Sequence, residues 1–304
     1  MSDKMSKVKY AVLIIVGLYI LYLLLAGLVT SSSYTQPYRP EQIPASAPDQ
    51  HRAIVLASAV GSALDGELKS MFGLITNDLM FVPVLIDNRA AFQKGVIYAT
   101  RQASDVVGKN AARYGDKDTI DQRLADASSR FFPYSENVWG WWFIYDCEGK
   151  YRNAINNWLS WATSVGTEGK NAGIYNLRSD DIYSILRFCV TMTDYALGIL
   201  NDDQVGHFST DNNIYYAKGI ALVTGNILRA INAVDGSVAE RGGAENVEEA
   251  LRRFEYINEF DPLLVMAGGN VVGDAMIPNH VAALARHIDI ANNRMNDMLS
   301  SMEK

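Results

Sequence analysis

The sequence predicts an all-α protein: a single N-terminal transmembrane helix followed by an exported bundle of about seven or eight helices. Three observations predict it. An uncharged apolar run occupies residues 10–29. Beyond residue 50, apolar residues recur at helical i, i+4, i+7 spacing in one segment after another. Strand-like alternation of apolar and polar residues is scarce.

The run at 10–29, YAVLIIVGLYILYLLLAGLV, has the length of a bilayer span, because twenty helical residues rise roughly 30 Å. A signal peptide has a shorter apolar region, about 7–15 residues, closed by a small-residue cleavage site. Here the run is longer and no Ala-x-Ala abuts it, so a retained anchor in membrane lipid is expected. No Cys lies near its end to carry a lipid. Lys4, Lys7 and Lys9 precede the span, whereas Arg39 is the only basic residue in the fifteen that follow. Lys/Arg excess marks the cytoplasmic side, so residues 1–9 are expected inside and the remainder outside, periplasmic in a bacterium. The whole chain has 304 residues and carries −7; with +2 on residues 1–9, the remainder carries −9. That balance argues against nucleic acid as a partner. A content of 49% hydrophobic and 20% charged residues excludes a mostly disordered chain.

Residues 30–50, with Pro37, Pro40, Pro44 and Pro48, read as an extended linker that lifts the domain off the bilayer. Residues 51–304 follow as the helical domain. Ala53 to Leu68, Phe92 to Val106, Ile182 to Leu197, Val247 to Ile257 and Val281 to Met298 each carry an apolar stripe. Tyr215 to Ala233 is apolar with few interruptions. Ser179, before Asp180 and Asp181, reads as a helix start, and Pro278 suits the first position of the last helix. The polar stretch 166–179 is the best place for a subdivision of the domain. The apolar segment 71–86 contains Asn77, Asp78 and Pro83, and is expected as a core connection.

Trp139, Trp141, Trp142, Trp158 and Trp161 fall within 23 residues. Such a cluster is either a core corner with hydrogen-bonded indoles or an interaction surface. Cys147, in the loop-like DCEGK, and Cys189, inside a helix, are either a disulfide pair in an oxidising compartment or two inert thiols. His280 and His287 share a helix face, but no ligand cluster accompanies them, so no metal is predicted. GGNVVGD at 268–274 reads as a turn, since no Gly-Lys-Ser/Thr follows it. No cofactor motif is present.

DNRAAFQKGVIYATRQ at 87–102, YYAKGIALV at 215–223 and PNHVAALARHIDIANNRMND at 278–297, together with the N-terminal span, resemble a family of bacterial inner-membrane proteins, domain-of-unknown-function family 2333. The resemblance covers nearly the whole chain. It implies the topology and an envelope location, and it implies no activity or catalytic residue.

Three functional expectations follow. The first is an envelope scaffold that binds other membrane or periplasmic proteins, or itself, through its exported helices. Gly-x-x-x-Gly is absent from the span, so association through the span alone is weakly indicated. The second is an envelope hydrolase using carboxylates beside the tryptophans, with Glu136, Asp146 and Glu148 as candidates. The third is a module that binds a small molecule or lipid between helices.

Overall fold

The computed structural model describes residues 2–31, 34–70, 73–75, 87–113, 120–136, 147–201, 210–262, 265 and 279–303. These residues form ten α-helices and one π-helical turn, with no strand among them beyond two isolated bridges. In chain order the helices are α1 (Ser2–Ser31), α2 (Asp49–Leu68), α3 (Asp87–Ala111), α4 (Gln122–Asp126), α5 (Cys147–Ser164), α6 (Ser179–Leu200), α7 (Thr210–Val234), α8 (Ser237–Gly242), α9 (Ala244–Glu259) and α10 (His280–Met302). The π turn, Ala127–Phe131, continues directly from α4.

Helix α7 runs through the middle of the domain. From Ile214 to Val234 nearly every side chain is buried, which is the fate of a helix that is apolar on all sides. It is enclosed by α2, α3, α6 and α9. Its most extensive partner among the described helices is α3, and glycines make that contact possible. A Cβ added at Gly219 would stand 2.3 Å from the Phe92 carbonyl oxygen, and one at Gly95 would stand 2.1 Å from that of Tyr216. The two backbones therefore touch where they cross, with no room for a methyl group on either side. Both glycines lie in the segments FQKGV and YAKGI that carry the family resemblance.

The expected stripes all become helices, and each buries its apolar face. Three details differ from expectation. Helix α6 begins after Arg178 and Ser179 is its first residue; the capping contact comes from Asp181, whose carboxylate accepts the Arg178 backbone N–H at 2.9 Å. At α10 the cap is Asn279, whose side chain accepts the Ala282 N–H at 2.9 Å; Pro278 lies outside the described residues. Cys147, expected in a loop-like DCEGK, instead opens helix α5.

The proline-rich segment is not a free spacer. It is extended, but residues 34–48 are strapped along the domain. The Tyr38 N–H donates to Asn226 Oδ1 at 2.9 Å, and the Ile43 N–H to the Ala233 carbonyl at 2.8 Å. Arg39 pairs with Glu255, while the Arg52 guanidinium donates to the carbonyls of Pro44, Ala45 and Ala47. Proline rules out a helix here, yet it leaves carbonyls and alternate side chains free to bind a groove. Tyr34, Tyr38 and Ile43 pack on the core from this arm.

The stretch 166–179 does not divide the domain. Tyr175 and Leu177 pack against a single hydrophobic cluster that extends through α2, α3, α5, α6, α7, α9 and α10. Of the expected core connection at 71–86, only residues 73–75 are described, and Leu74 and Ile75 are buried.

Helix α1 continues the apolar run as one unbroken helix, and thirteen of its large apolar side chains between Val8 and Leu25 are 36–66% exposed. None of its described side chains joins the core. Among the described residues, no helix is long and apolar enough to cross a membrane. The all-α class therefore stands, while the expected transmembrane helix over 10–29 is not shown.

Candidate functional site

Where the arm enters the domain, it covers a set of charged and aromatic side chains that the fold has taken out of water. Glu67, near the end of α2, is 0% exposed, and both its oxygens are filled. Oε1 accepts the Thr35 hydroxyl at 2.6 Å and the Thr35 N–H at 3.3 Å; Oε2 accepts Arg89 Nε at 2.7 Å and Gln93 Nε2 at 3.1 Å. Arg89 and Gln93 lie on α3, so one carboxylate joins α2, α3 and the arm. Gln93 also donates to the Gly73 carbonyl and accepts the Ile75 N–H, which fixes the chain after α2.

Tyr34 lies over this pair. Its ring is edge-on to Phe92 at 4.8 Å and stacked on Tyr215 at 5.5 Å, with the Arg89 guanidinium 4.9 Å from its centre. On the other side stands Lys218, whose ammonium lies 5.0 Å from the Tyr34 ring centre and 5.3 Å from that of Tyr215. The same ammonium donates to the Phe260 carbonyl. Burial disfavours its charged form and pulls its pKa down to about 8, with the Asp261 carboxylate opposing the shift. Burial also raises the phenols of Tyr34 and Tyr215, and Asp261 adds to both; the Tyr215 hydroxyl donates to that carboxylate at 2.9 Å. Glu255 on α9 accepts from both Arg39 and Arg229 at the edge of the cluster. Burial alone would raise Glu255, but the two guanidiniums outweigh it and hold its pKa below the usual value.

The residues expected from the sequence fall elsewhere. Trp158 and Trp161 are fully buried, edge-on at 5.6 Å, and their indole N–H groups donate to Ser104 Oγ at 2.9 Å and the Ile174 carbonyl at 3.2 Å. They form a core corner and offer no interaction surface, because their stripe on α5 faces inward. Trp139, Trp141 and Trp142 lie outside the described residues, as do Asp146, His207 and the glycines 268, 269 and 273.

Cys147 and Cys189 are free, buried thiols and form no disulfide. Their sulfurs address different carbonyls, those of Glu136 at 3.6 Å and Thr224 at 4.0 Å. Burial pushes the Cys189 thiol upward, away from reactivity.

Glu136 is paired with Arg101 at 2.8 Å, and that guanidinium also holds the carbonyls of Phe132 and Tyr134 and the Tyr151 hydroxyl. Burial would raise the Glu136 carboxyl, but its own backbone N–H and Arg101 prevail and lower its pKa. Glu148 accepts the Leu74 N–H at 2.8 Å and pairs with Arg152 at 3.0 Å. Both carboxylates therefore act as structural acceptors. His287 lies 3.2 Å from Arg253, and His280 packs edge-on to Phe260. No group of three metal-ligating side chains occurs among the described residues.

Sequence reasoning missed the buried cluster because Glu67, Gln93, Lys218 and Glu255 sit inside segments read as apolar, and Tyr34, Thr35 and Arg39 inside the segment read as a linker. The available signal was one Lys within YYAKGIALV, and a Glu at 67 in register with Leu64 and Leu68.

The family described as an uncharacterised protein conserved in bacteria, DUF2333, matches residues 3–204. The chain belongs to this family. The match takes in α1, the arm and helices α2 to α6. It ends before α7 and α10, so two of the three segments that suggested the resemblance, 215–223 and 278–297, fall outside it. The family description speaks of bacteria and not of a membrane. No curated protein and no solved structure matches this DUF2333 chain.

Proposed function

We propose that this DUF2333 protein is a membrane-anchored interaction module of the bacterial envelope. Residues 10–29 enter the inner membrane, residues 1–9 face the cytoplasm, and the helical domain is displayed in the periplasm to bind other envelope proteins or a second copy. The observation that carries the reading is α1. Thirteen large apolar side chains between Val8 and Leu25 stand exposed on it, and apolar surface of that extent is stable in lipid and costly in water. The lysines at 4, 7 and 9 give the orientation. The arm adds a mechanical consequence. Because Tyr34 and Thr35 are locked into the buried cluster only a few residues after α1, the domain sits close to the anchor and does not swing on a long tether.

Fractionation of expressing cells tests the anchor. The full chain is expected in the membrane pellet after alkaline carbonate washing, and degraded by protease added to spheroplasts. Removal of residues 2–31 is expected to release it. Full-length protein in the soluble fraction would refute the reading. Cross-linking in membranes followed by purification is expected to return a partner in fixed stoichiometry, or a dimer; a lone monomer would remove the interaction role. The hydrolase alternative is not carried forward, because Glu136 and Glu148 are engaged by arginines and backbone N–H groups.

A further inference from the structure

Beneath the arm, a cavity of about 130 Å³ lies between residues 34–39, Phe92 of α3, Lys218 of α7 and the last turn of α9. Its surroundings hold more buried donors than acceptors. Lys218 is 1% exposed, and its ammonium donates to one oxygen, the Phe260 carbonyl. Two aromatic faces flank it and the Asp261 carboxylate acts on it from a distance, but no described carboxylate forms an ion pair with it. In the same wall, the side-chain nitrogen of Asn258 is buried with no hydrogen-bond partner. Just behind, Arg39 and Arg229 share the one Glu255 carboxylate, and Arg229 Nη1 is left without a partner. Glu255 faces Arg229 and Asp261 acts on Lys218, but neither reaches the Asn258 amide or Arg229 Nη1; buried donors are ordinarily matched, so this network is short of acceptors.

We propose that the cavity binds a compact oxyanion, a small carboxylate or inorganic phosphate, held by the Lys218 ammonium and the Asn258 side-chain amide beneath the arm. The size agrees: at roughly 30 Å³ per water molecule, the space equals about four waters, enough for acetate or phosphate and too little for a nucleotide. Water would fill the acceptor deficit but would not neutralise the ammonium. Glu259 lies at the exposed rim and sets a limit on the ligand's charge. The lowered pKa of Lys218 comes from burial, which the Asp261 carboxylate offsets only in part. The groups around it are Tyr34 from the arm, Tyr215 on its own helix and Asp261 after α9. Arg89 with Glu67 lies behind Tyr34, and Arg39, Glu255 and Glu259 line the wall. As classes, carboxylates and guanidiniums titrate outside the interval from about pH 6.5 to 9.5. The phenols of Tyr34 and Tyr215 are moved further above it.

Calorimetric titration of the full chain in detergent micelles with sodium acetate, sulfate or phosphate, each against sodium chloride at equal ionic strength, tests this. One saturable site is expected near neutral pH. Acetate and sulfate keep their charge, so their affinity should fall towards tenfold per pH unit above about pH 8, as Lys218 loses its proton. Lys218→Met and Asn258→Leu should each weaken binding by about tenfold or more while the protein still melts cooperatively. Should Lys218→Met fail to fold, the wild-type pH profile and Asn258→Leu decide. Binding of acetate but not phosphate, or the reverse, supports the site and names the ligand class. No saturable heat beyond chloride, a flat pH profile, or affinity unchanged in the variants would overturn the proposal.

Discussion

The crossing of α3 and α7 offers a sharp test of how the bundle is held together. Gly219→Ala adds one methyl group, 2.3 Å from the Phe92 carbonyl oxygen and 2.8 Å from the Val96 nitrogen. All these atoms are helical backbone, so no rotamer change relieves the contact. Ordinary carbon–oxygen separation is about 3.3 Å, and the helices must part by roughly 1 Å, opening the most extensive helix contact among the described residues. Overpacking of this kind costs about 1–3 kcal/mol, and a rigid backbone on both sides places this site at the upper end. The intrinsic preference of a helix for Ala over Gly returns about 1 kcal/mol. A net loss of about 2 kcal/mol corresponds to a fall in Tm of roughly 4–8 °C for a domain of this size. Gly198→Ala is the control. It lies in α6 with nothing within 4 Å of the added methyl, so only the preference term remains and Tm should rise by a few degrees. Thermal melts by circular dichroism on the full chain in detergent measure both. If Gly219→Ala melts at or above wild type, the direct backbone crossing is not what the native protein contains.

Other outcomes follow from the same contacts. Glu67→Gln removes the buried carboxylate that Arg89, 3% exposed, is paired with, and should cost about 3–5 kcal/mol in denaturant unfolding; a loss under about 1 kcal/mol would show that the pair is not buried. The folded pKa of Lys218 is below its unfolded value, so the unfolded chain binds the extra proton and stability rises with pH through this window. Wild type should therefore gain about 1–2 kcal/mol over Lys218→Met between about pH 8 and 9.5; parallel curves would contradict the burial of an unpaired ammonium. His287 is also lowered, by burial and then by Arg253 and Arg286, so its contribution is present above about pH 6.5 and lost on acidification. His287→Phe should flatten the acid limb of a stability–pH profile. Both thiols are buried, so a thiol reagent should label neither Cys147 nor Cys189 in the native protein and both after unfolding without reductant; unlabelled unfolded chain would reveal a disulfide.

Six of the helices were legible in advance, because an apolar stripe at 3.6-residue period survives in any packing that has one interior. Helix α5 was not. Its inward face, Tyr151, Ala154, Trp158 and Trp161, is built largely from aromatics, and these read as either a core corner or an interaction surface when burial is unknown. The arm was misread for a related reason. Proline content reports what the backbone refuses to form, and says nothing about the Asn226 side chain or the Ala233 carbonyl that receives it. The Glu136 and Glu148 carboxylates could not be judged either, since the arginines that occupy them lie 35 positions away in one case and one helical turn away in the other.

By itself the sequence determined the helical class, the faces that seek an interior, and the uncharged run at 10–29, all of them properties of spacing and composition. The tertiary structure alone decided that α3 and α7 touch through Gly95 and Gly219, that the arm closes over Glu67 and Arg89, and that the buried Lys218 ammonium borders a cavity and donates to the Phe260 carbonyl. Periodicity says which side of a helix turns away from water. Which buried sides then meet, and which charges are trapped between them, depends on distances between residues far apart in the chain, and no local pattern encodes those.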